Sequence, residues 1–333
     1  MAQLVLGIGT SHTPMLVSTG ELWEKRARDD VRAGNLYDKT GKLRTYYELA
    51  EQVQNRYAAT ATLENFNESA TAAQAALDKL AGDLAAAEVD VVIVVGDDQL
   101  ELFNMSNMPA FAVFYGDKVI THYIDEDEYP GMDGEFLNAM RKGYRMDAQY
   151  ELNGQPELAR QLITYLTKAG IDVAACGEVA KSDTSGFGHA YGFIYERLML
   201  QKKIPLIPVM VNAFYSPNQP TPTRCYELGR ALRAGIEASP LDLRVAIVAS
   251  GGLSHFVTNE DLDRQIIAAL EAGDSEALKA LPEELLNSGS GEIRNWLTVA
   301  GAVEGLKLQW YEYIPVYRSP AGTGVGMGFA RWS

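Results

Sequence analysis

Histidine and cysteine are scarce in this chain: four histidines and two cysteines among 333 residues. Cys176 and Cys225 are too few for a disulfide framework and lack metal-type spacing, so they read as small core residues in a reducing cytosol. Positive charge is also in deficit. Lys and Arg total 29 against 44 Asp and Glu, a net charge of −15. That balance argues against nucleic acid, whose affinity rests on cations neutralising phosphates, and reads as a solubilising surface. No apolar run reaches the roughly 20 residues that span a bilayer. No basic stretch leads into an apolar one near the start, so neither membrane anchor nor export signal is expected, and the expected location is the cytoplasm. A Gly-x-Ser-x-Gly elbow is missing. The glycine-rich stretch Gly322–Gly326 has no following lysine, which excludes a phosphate loop.

What remains is a chain that is 47% hydrophobic and long enough for a full core. Short Val/Ile-rich runs at Gln3–Ile8, Asp90–Val95, Phe111–Tyr115, Ile171–Ala175, Ile204–Val211 and Arg244–Ala249 predict buried strands. Helical periodicity predicts helices at Ser69–Ala87, Pro156–Ala169, Ala190–Gln201, Thr223–Ala238, Asn259–Glu271 and Gly291–Leu306. The alternation implies a single α/β domain over residues 1–333, with a largely parallel sheet covered on both faces. Two polar segments interrupt it, 18–68 and 117–154, the second carrying the acidic run Asp125–Glu128. Each reads as a cap over a site or a subunit contact. His122, in an alternating stretch of the second segment, reads as a solvated face residue.

The other three histidines sit in Gly/Ser-rich junctions. His12 follows the first strand in Thr-Ser-His-Thr-Pro, His189 lies in Gly-Phe-Gly-His-Ala-Tyr-Gly, and His255 follows Val245–Ala249 in Gly-Gly-Leu-Ser-His. Ligands of α/β proteins gather outside the carboxyl ends of strands, so these placements point to one site assembled from distant segments.

Thr10–Pro14, the strand ending Gly96-Asp97-Asp98-Gln99, the His189 loop, Gly251–His255 and Glu292 opening a late helix occur in an order that resembles the class III extradiol ring-cleavage dioxygenases. These are the LigB-like catalytic subunits of the protocatechuate 4,5-dioxygenase and 2,3-dihydroxyphenylpropionate dioxygenase type. Asn212–Leu228 and Tyr313-Ile314-Pro315 add to the resemblance; residues 18–68 lie outside it. The resemblance implies a mononuclear Fe(II) site, with two histidines and a carboxylate on one face and open positions for a catecholate and O2. By motif, His12 is a metal ligand and Glu292 the carboxylate. His255 and His189 correspond to catalytic histidines that handle protons. Tyr313 and Asp98 are the candidates for contact with substrate. Read without the resemblance, Glu292 is an ordinary capping carboxylate of a helix start.

One position departs from the pattern. Where the family carries its second ligand histidine, four residues before Phe103, this chain has Gln99. Three outcomes follow. Gln99 binds through its amide oxygen; or Asp97, Asp98 or Glu101 supplies a second carboxylate, a harder set that also suits Mn, Zn or Mg; or the metal is lost. The resulting expectation is an oxidoreductase acting on a catechol- or gallate-type ring with O2. The alternatives are a hydrolase, lyase or decarboxylase on the same scaffold, or a non-catalytic ligand-binding homologue. By family analogy the chain forms a homo-oligomer and could use a small partner subunit.

Overall fold

A computed structural model describes residues 1–179 and 182–333. Its centre is a nine-stranded sheet. From one edge the order is His255–Val257, Thr323–Trp332, Gln3–Thr10, Arg244–Ser250, Val91–Gly96, Leu206–Val211, Phe111–Phe114 and Ala174–Cys176, with Leu308–Tyr317 pairing Thr323–Trp332 off this path. The four middle strands, from Gln3–Thr10 to Leu206–Val211, run parallel. Antiparallel partners flank them on both sides.

Val91–Gly96 shows why the middle must be parallel and covered. All six of its residues are buried. Val91, Ile93 and Val95 face one apolar core, with Leu158, Leu162 and Leu232 from two helices. Val92 and Val94 face the other, with Leu77 and Leu80 of the long helix Leu63–Ala86. A strand that is apolar on both faces can only sit between two helical layers.

The predicted helices and strands differ from the observed ones at their ends. The long helix begins at Leu63, six residues early, because the Thr62 hydroxyl accepts from the Asn65 amide and caps it. The Ile171 amide donates to Leu166 O at the end of the preceding helix, so that edge strand is delayed to Ala174–Cys176. Helix Ala190–Gln201 starts at His189 and loosens into a π-turn over Ile194–Leu198. The predicted helix Gly291–Leu306 is a tight turn, Ser288–Glu292, followed by Ile293–Ala302. The tyrosine-rich and glycine-rich stretches near the end, each consistent with a terminal strand, form the closing hairpin Leu308–Tyr317 with Thr323–Trp332.

Both polar segments fold over the carboxyl ends of the central strands. The first contains helices Gly20–Asp29 and Tyr46–Val53. It is tied down by Trp23, whose indole donates to Met15 O (2.8 Å), and by a buried ion pair between Asp30 and Arg318. The second contains helix Gly134–Gly143, linked to the first through Lys25 on Asp133 and Glu135. His122 is 6% exposed, which corrects its reading as a solvated residue. The strand Lys118–Ile120 ends before it, and residues 184–187 cover the continuation, taking amides from His122 and Tyr123 on Phe187 O and Thr184 O.

Candidate metal centre and cavity

His12, Asp97, His189 and Glu292 each offer one ligand atom, and these atoms lie within 4.8 Å of one another. Each residue arrives from a different part of the chain. His12 and Asp97 stand just beyond the carboxyl ends of Gln3–Thr10 and Val91–Gly96. His189 opens its helix, and Glu292 closes the tight turn at Ser288–Glu292.

The orientation of His12 follows from hydrogen-bond bookkeeping. The Ser250 hydroxyl donates to Ala190 O (2.6 Å), so toward His12 Nδ1 (2.9 Å) its oxygen can only accept. His12 Nδ1 therefore carries the proton and Nε2 turns into the cluster. There Nε2 lies 3.3 Å from Glu292 Oε2 and 4.0 Å from Asp97 Oδ1. Among the described residues, buried His12 Nε2 and Asp97 Oδ1 have no hydrogen-bond partner. Burial, with Glu292 close by, pushes the Asp97 carboxyl above its usual range. Two orphaned buried atoms facing each other beside a carboxylate fit a cation between them.

Two histidine–carboxylate pairs flank the cluster. His189 Nδ1 meets Glu101 Oε1 at 2.5 Å, and the same oxygen accepts the His189 amide (3.1 Å). Burial alone would raise the Glu101 carboxyl, but the His189 charge and these bonds hold it at about 2. Burial would likewise lower His189, yet Glu101 lifts it to about 10. The contact needs Gly188, where a Cβ would fall 1.9 Å from the Glu101 carboxyl carbon. In the second pair, His255 Nε2 lies 3.1 Å from Glu292 Oε1 and Nδ1 donates to Leu253 O (2.9 Å). Glu292 Oε2 also accepts the Gly252 amide (2.7 Å). Burial opposes charge on both partners. It is outweighed, so Glu292 stays well below the carboxylate range and His255 above its ordinary value.

The residues expected at the site divide. His12, His189, His255, Glu292, Gln99 and Glu101 all line one cavity of about 180 Å³. A cavity of about 150 Å³ holds a benzene ring. Glu101, expected as a metal ligand, instead spends its carboxylate on His189 and on the Gln99 backbone N–H (2.9 Å). Asp98, expected to contact substrate, is folded into its own turn. Its oxygens accept the amides of Leu100, Leu102 and Phe103, and burial followed by Glu101 pushes it up to about 7. Tyr313 also lies outside the cavity lining. Its hydroxyl donates to Asp263 Oδ2 (2.7 Å), and Asp263 in turn accepts the Ser254 amide (2.8 Å) next to His255.

The polar segments supply walls that sequence reasoning missed. Met132, Phe136, Met140 and Met146 come from the second, and Arg26 from the first. Arg318 lines the cavity too, but is committed to Asp30 through both Nε (2.7 Å) and Nη2 (2.9 Å). Arg26 reaches Asp30 only through Nη1 (3.2 Å), so two guanidiniums share one carboxylate. A spaced basic residue in a polar helix carries no signal of this. Arg224, near a family-like motif, lies over the Phe111 ring and outside the cavity.

A layered α/β fold with a histidine–carboxylate cluster at the strand ends defines the class of protein, and comparison with known sequences defines the family. The model of the catalytic LigB subunit of aromatic ring-opening dioxygenase matches residues 64–328, and the chain belongs to that family. Gallate dioxygenase of Pseudomonas putida (KT2440) is 34% identical over 110 residues, 30% of this chain and 32% of that protein. The 2,3-dihydroxyphenylpropionate/2,3-dihydroxicinnamic acid 1,2-dioxygenase of Comamonas testosteroni is 27% identical over 169 residues, 49% of this chain and 51% of that protein. That of Mycobacterium sp. (strain MCS) is 35% identical over 101 residues, 30% of this chain and 29% of that protein. The chain thus spans a third to a half of the length of these curated relatives. Among the described residues, no helix is long and apolar enough to cross a membrane.

Proposed function

We propose that this protein opens a dihydroxylated aromatic ring, of catechol or gallate type, with O2 at a mononuclear non-haem iron(II) centre. The observation that carries this reading is the pair of orphaned buried atoms, His12 Nε2 and Asp97 Oδ1, beside Glu292, with His12 and Glu292 lining a ring-sized cavity. Bound there, iron would supply Lewis acidity toward the diol and a redox-active meeting point for diol and O2.

The chain's own residues do the rest. Met132, Phe136, Met140 and Met146 make an apolar wall that sandwiches a flat ring and excludes water. His255, with Nδ1 fixed on Leu253 O, holds on Nε2, beside Glu292, a proton that it gives to and takes back from a substrate oxygen. Arg26, the less committed of two arginines on the wall, favours a ring that carries an acidic substituent. The test is oxygen uptake by iron-loaded protein with a panel of catechols and gallates, reading both atoms of labelled O2 in a ring-opened product. Uptake without ring opening would defeat the reading.

Gln99 favours a second reading. With an amide at a ligand-histidine position, the scaffold would hold another divalent ion, or none, for hydrolysis, elimination or decarboxylation. Turnover of an aromatic substrate without oxygen would favour it.

A further inference from the structure

We infer that His189, clamped by Glu101, is the second histidine ligand of this centre, replacing the imidazole that Gln99 lacks, with Asp97 completing the set of His12, His189 and Glu292. The inference rests on the reading that the cluster holds a divalent cation, and it names which side chains do so.

Exclusion comes first. Gln99 turns its amide nitrogen rather than its oxygen toward the cluster: Nε2 donates to Asp97 Oδ2 (3.2 Å) and lies 3.4 Å from His189 Nε2, the position a bound ion would take over. A nitrogen with two hydrogens and no available lone pair is not a ligand. Glu101 is spent: one oxygen takes two donors from His189 and the other takes the Gln99 backbone N–H. His255 stands behind Glu292 rather than among the converging atoms.

His189 meets the requirements that the others fail. Its Nδ1 is bonded to Glu101, which fixes the ring and leaves Nε2 facing the cluster. That nitrogen is 4.0 Å from Asp97 Oδ2, and the ring stands edge-on to His12 with centroids 4.6 Å apart. With metal–nitrogen bonds of about 2.1 Å, neighbouring donors around one ion would lie about 3 Å apart. The four donors lie within 4.8 Å of one another, so side-chain movements of roughly an ångström would bring them onto one ion. A ligand histidine that donates its other ring nitrogen to a carboxylate is the usual outer-shell arrangement, and Glu101 provides it. The imidazole lost at position 99 returns from 90 residues further along the chain.

The experiment is X-ray absorption on the full chain loaded anaerobically with Fe(II), counting imidazoles, alongside Fe(II) and Co(II) affinity titrations. The wild type is expected to show two imidazoles. His189→Ala is expected to show one, and to weaken affinity beyond the roughly 100-fold upper bound for losing an outer partner. Glu101→Gln should weaken it by about 10–100-fold, and Gln99→Ala by no more than about threefold. The wild-type count needs no variant to fold and stands alone. A single imidazole in metal-loaded wild type, or Gln99→Ala losing metal as His12→Ala does, overturns the ligand assignment while leaving the proposed function standing. Failure of the wild type to bind either metal overturns both.

Discussion

Two buried pairs, His189–Glu101 and His255–Glu292, are chemically alike and differently turned. In the first, the carboxylate sits behind the ring at Nδ1, and the ring's far nitrogen faces the cluster. In the second, the carboxylate itself faces the cluster, and the ring sits behind it with Nδ1 on a backbone carbonyl. The role of a histidine–carboxylate pair is thus set by which partner the backbone places in front. Glycines decide that placement. Gly188 lets Glu101 close on His189, and Gly289, where a Cβ would fall 2.2 Å from His255 Cδ2, lets the turn before Glu292 pack against the second ring.

The comparison breaks most sharply at the rear ring. His255→Ala is expected to retain metal while kcat falls by about 10²–10⁴, the usual worth of a general acid–base. Metal analysis beside steady-state kinetics checks it. Metal loss in this variant would merge the two roles that the geometry separates.

A second effect concerns what holds both pairs under their cover. Asp30 is buried among Arg318, Arg26 and the Thr323 hydroxyl. Asp30→Asn strands two guanidiniums and should cost about 3–5 kcal/mol, read by denaturant unfolding. Burial would raise the Asp30 carboxyl, but Arg318 draws it below the ordinary value. Its contribution is therefore full above the unfolded aspartate value of about 3.9 and is lost as pH falls through the depressed folded value. The wild type should lose more stability than Asp30→Asn as pH falls below about 4. Parallel acid-unfolding curves would contradict the pairing.

The smallest effect lies at the wall facing both pairs. Arg26→Met should raise KM about tenfold for a carboxylated catechol and leave KM for catechol itself unchanged, given a charge-assisted bond worth about 1.5 kcal/mol. Equal changes for both substrates would remove the anion preference.

The sequence made the middle of the sheet legible because Val91–Val95 and Val245–Ala249 are apolar on both faces, which only a covered parallel strand explains. Small-residue junctions at strand and helix ends pointed to His12, His189 and His255, whereas Glu292 stood out only through the family resemblance; all four line one cavity. The sequence did not separate the roles of Asp97, Asp98 and Glu101. Adjacent carboxylates at a turn look alike until backbone amides claim Asp98 and His189 claims Glu101. Tyr313 was misread because alternation shows which face a side chain takes, and not whether that face meets a cavity or Asp263. Arg26 and the methionine wall come from polar segments docked through contacts distant in sequence, Asp30 on Arg318 and Lys25 on Asp133 and Glu135.

In the proposed function His12 and Glu292 anchor a catalytic iron. Elemental analysis of protein purified without oxygen, beside His12→Ala purified identically, tests it most directly. About one iron per wild-type chain is expected, and essentially none in the variant, where the buried nitrogen facing Glu292 is gone. Equal iron in both, or none in either after loading with Fe(II), would contradict it.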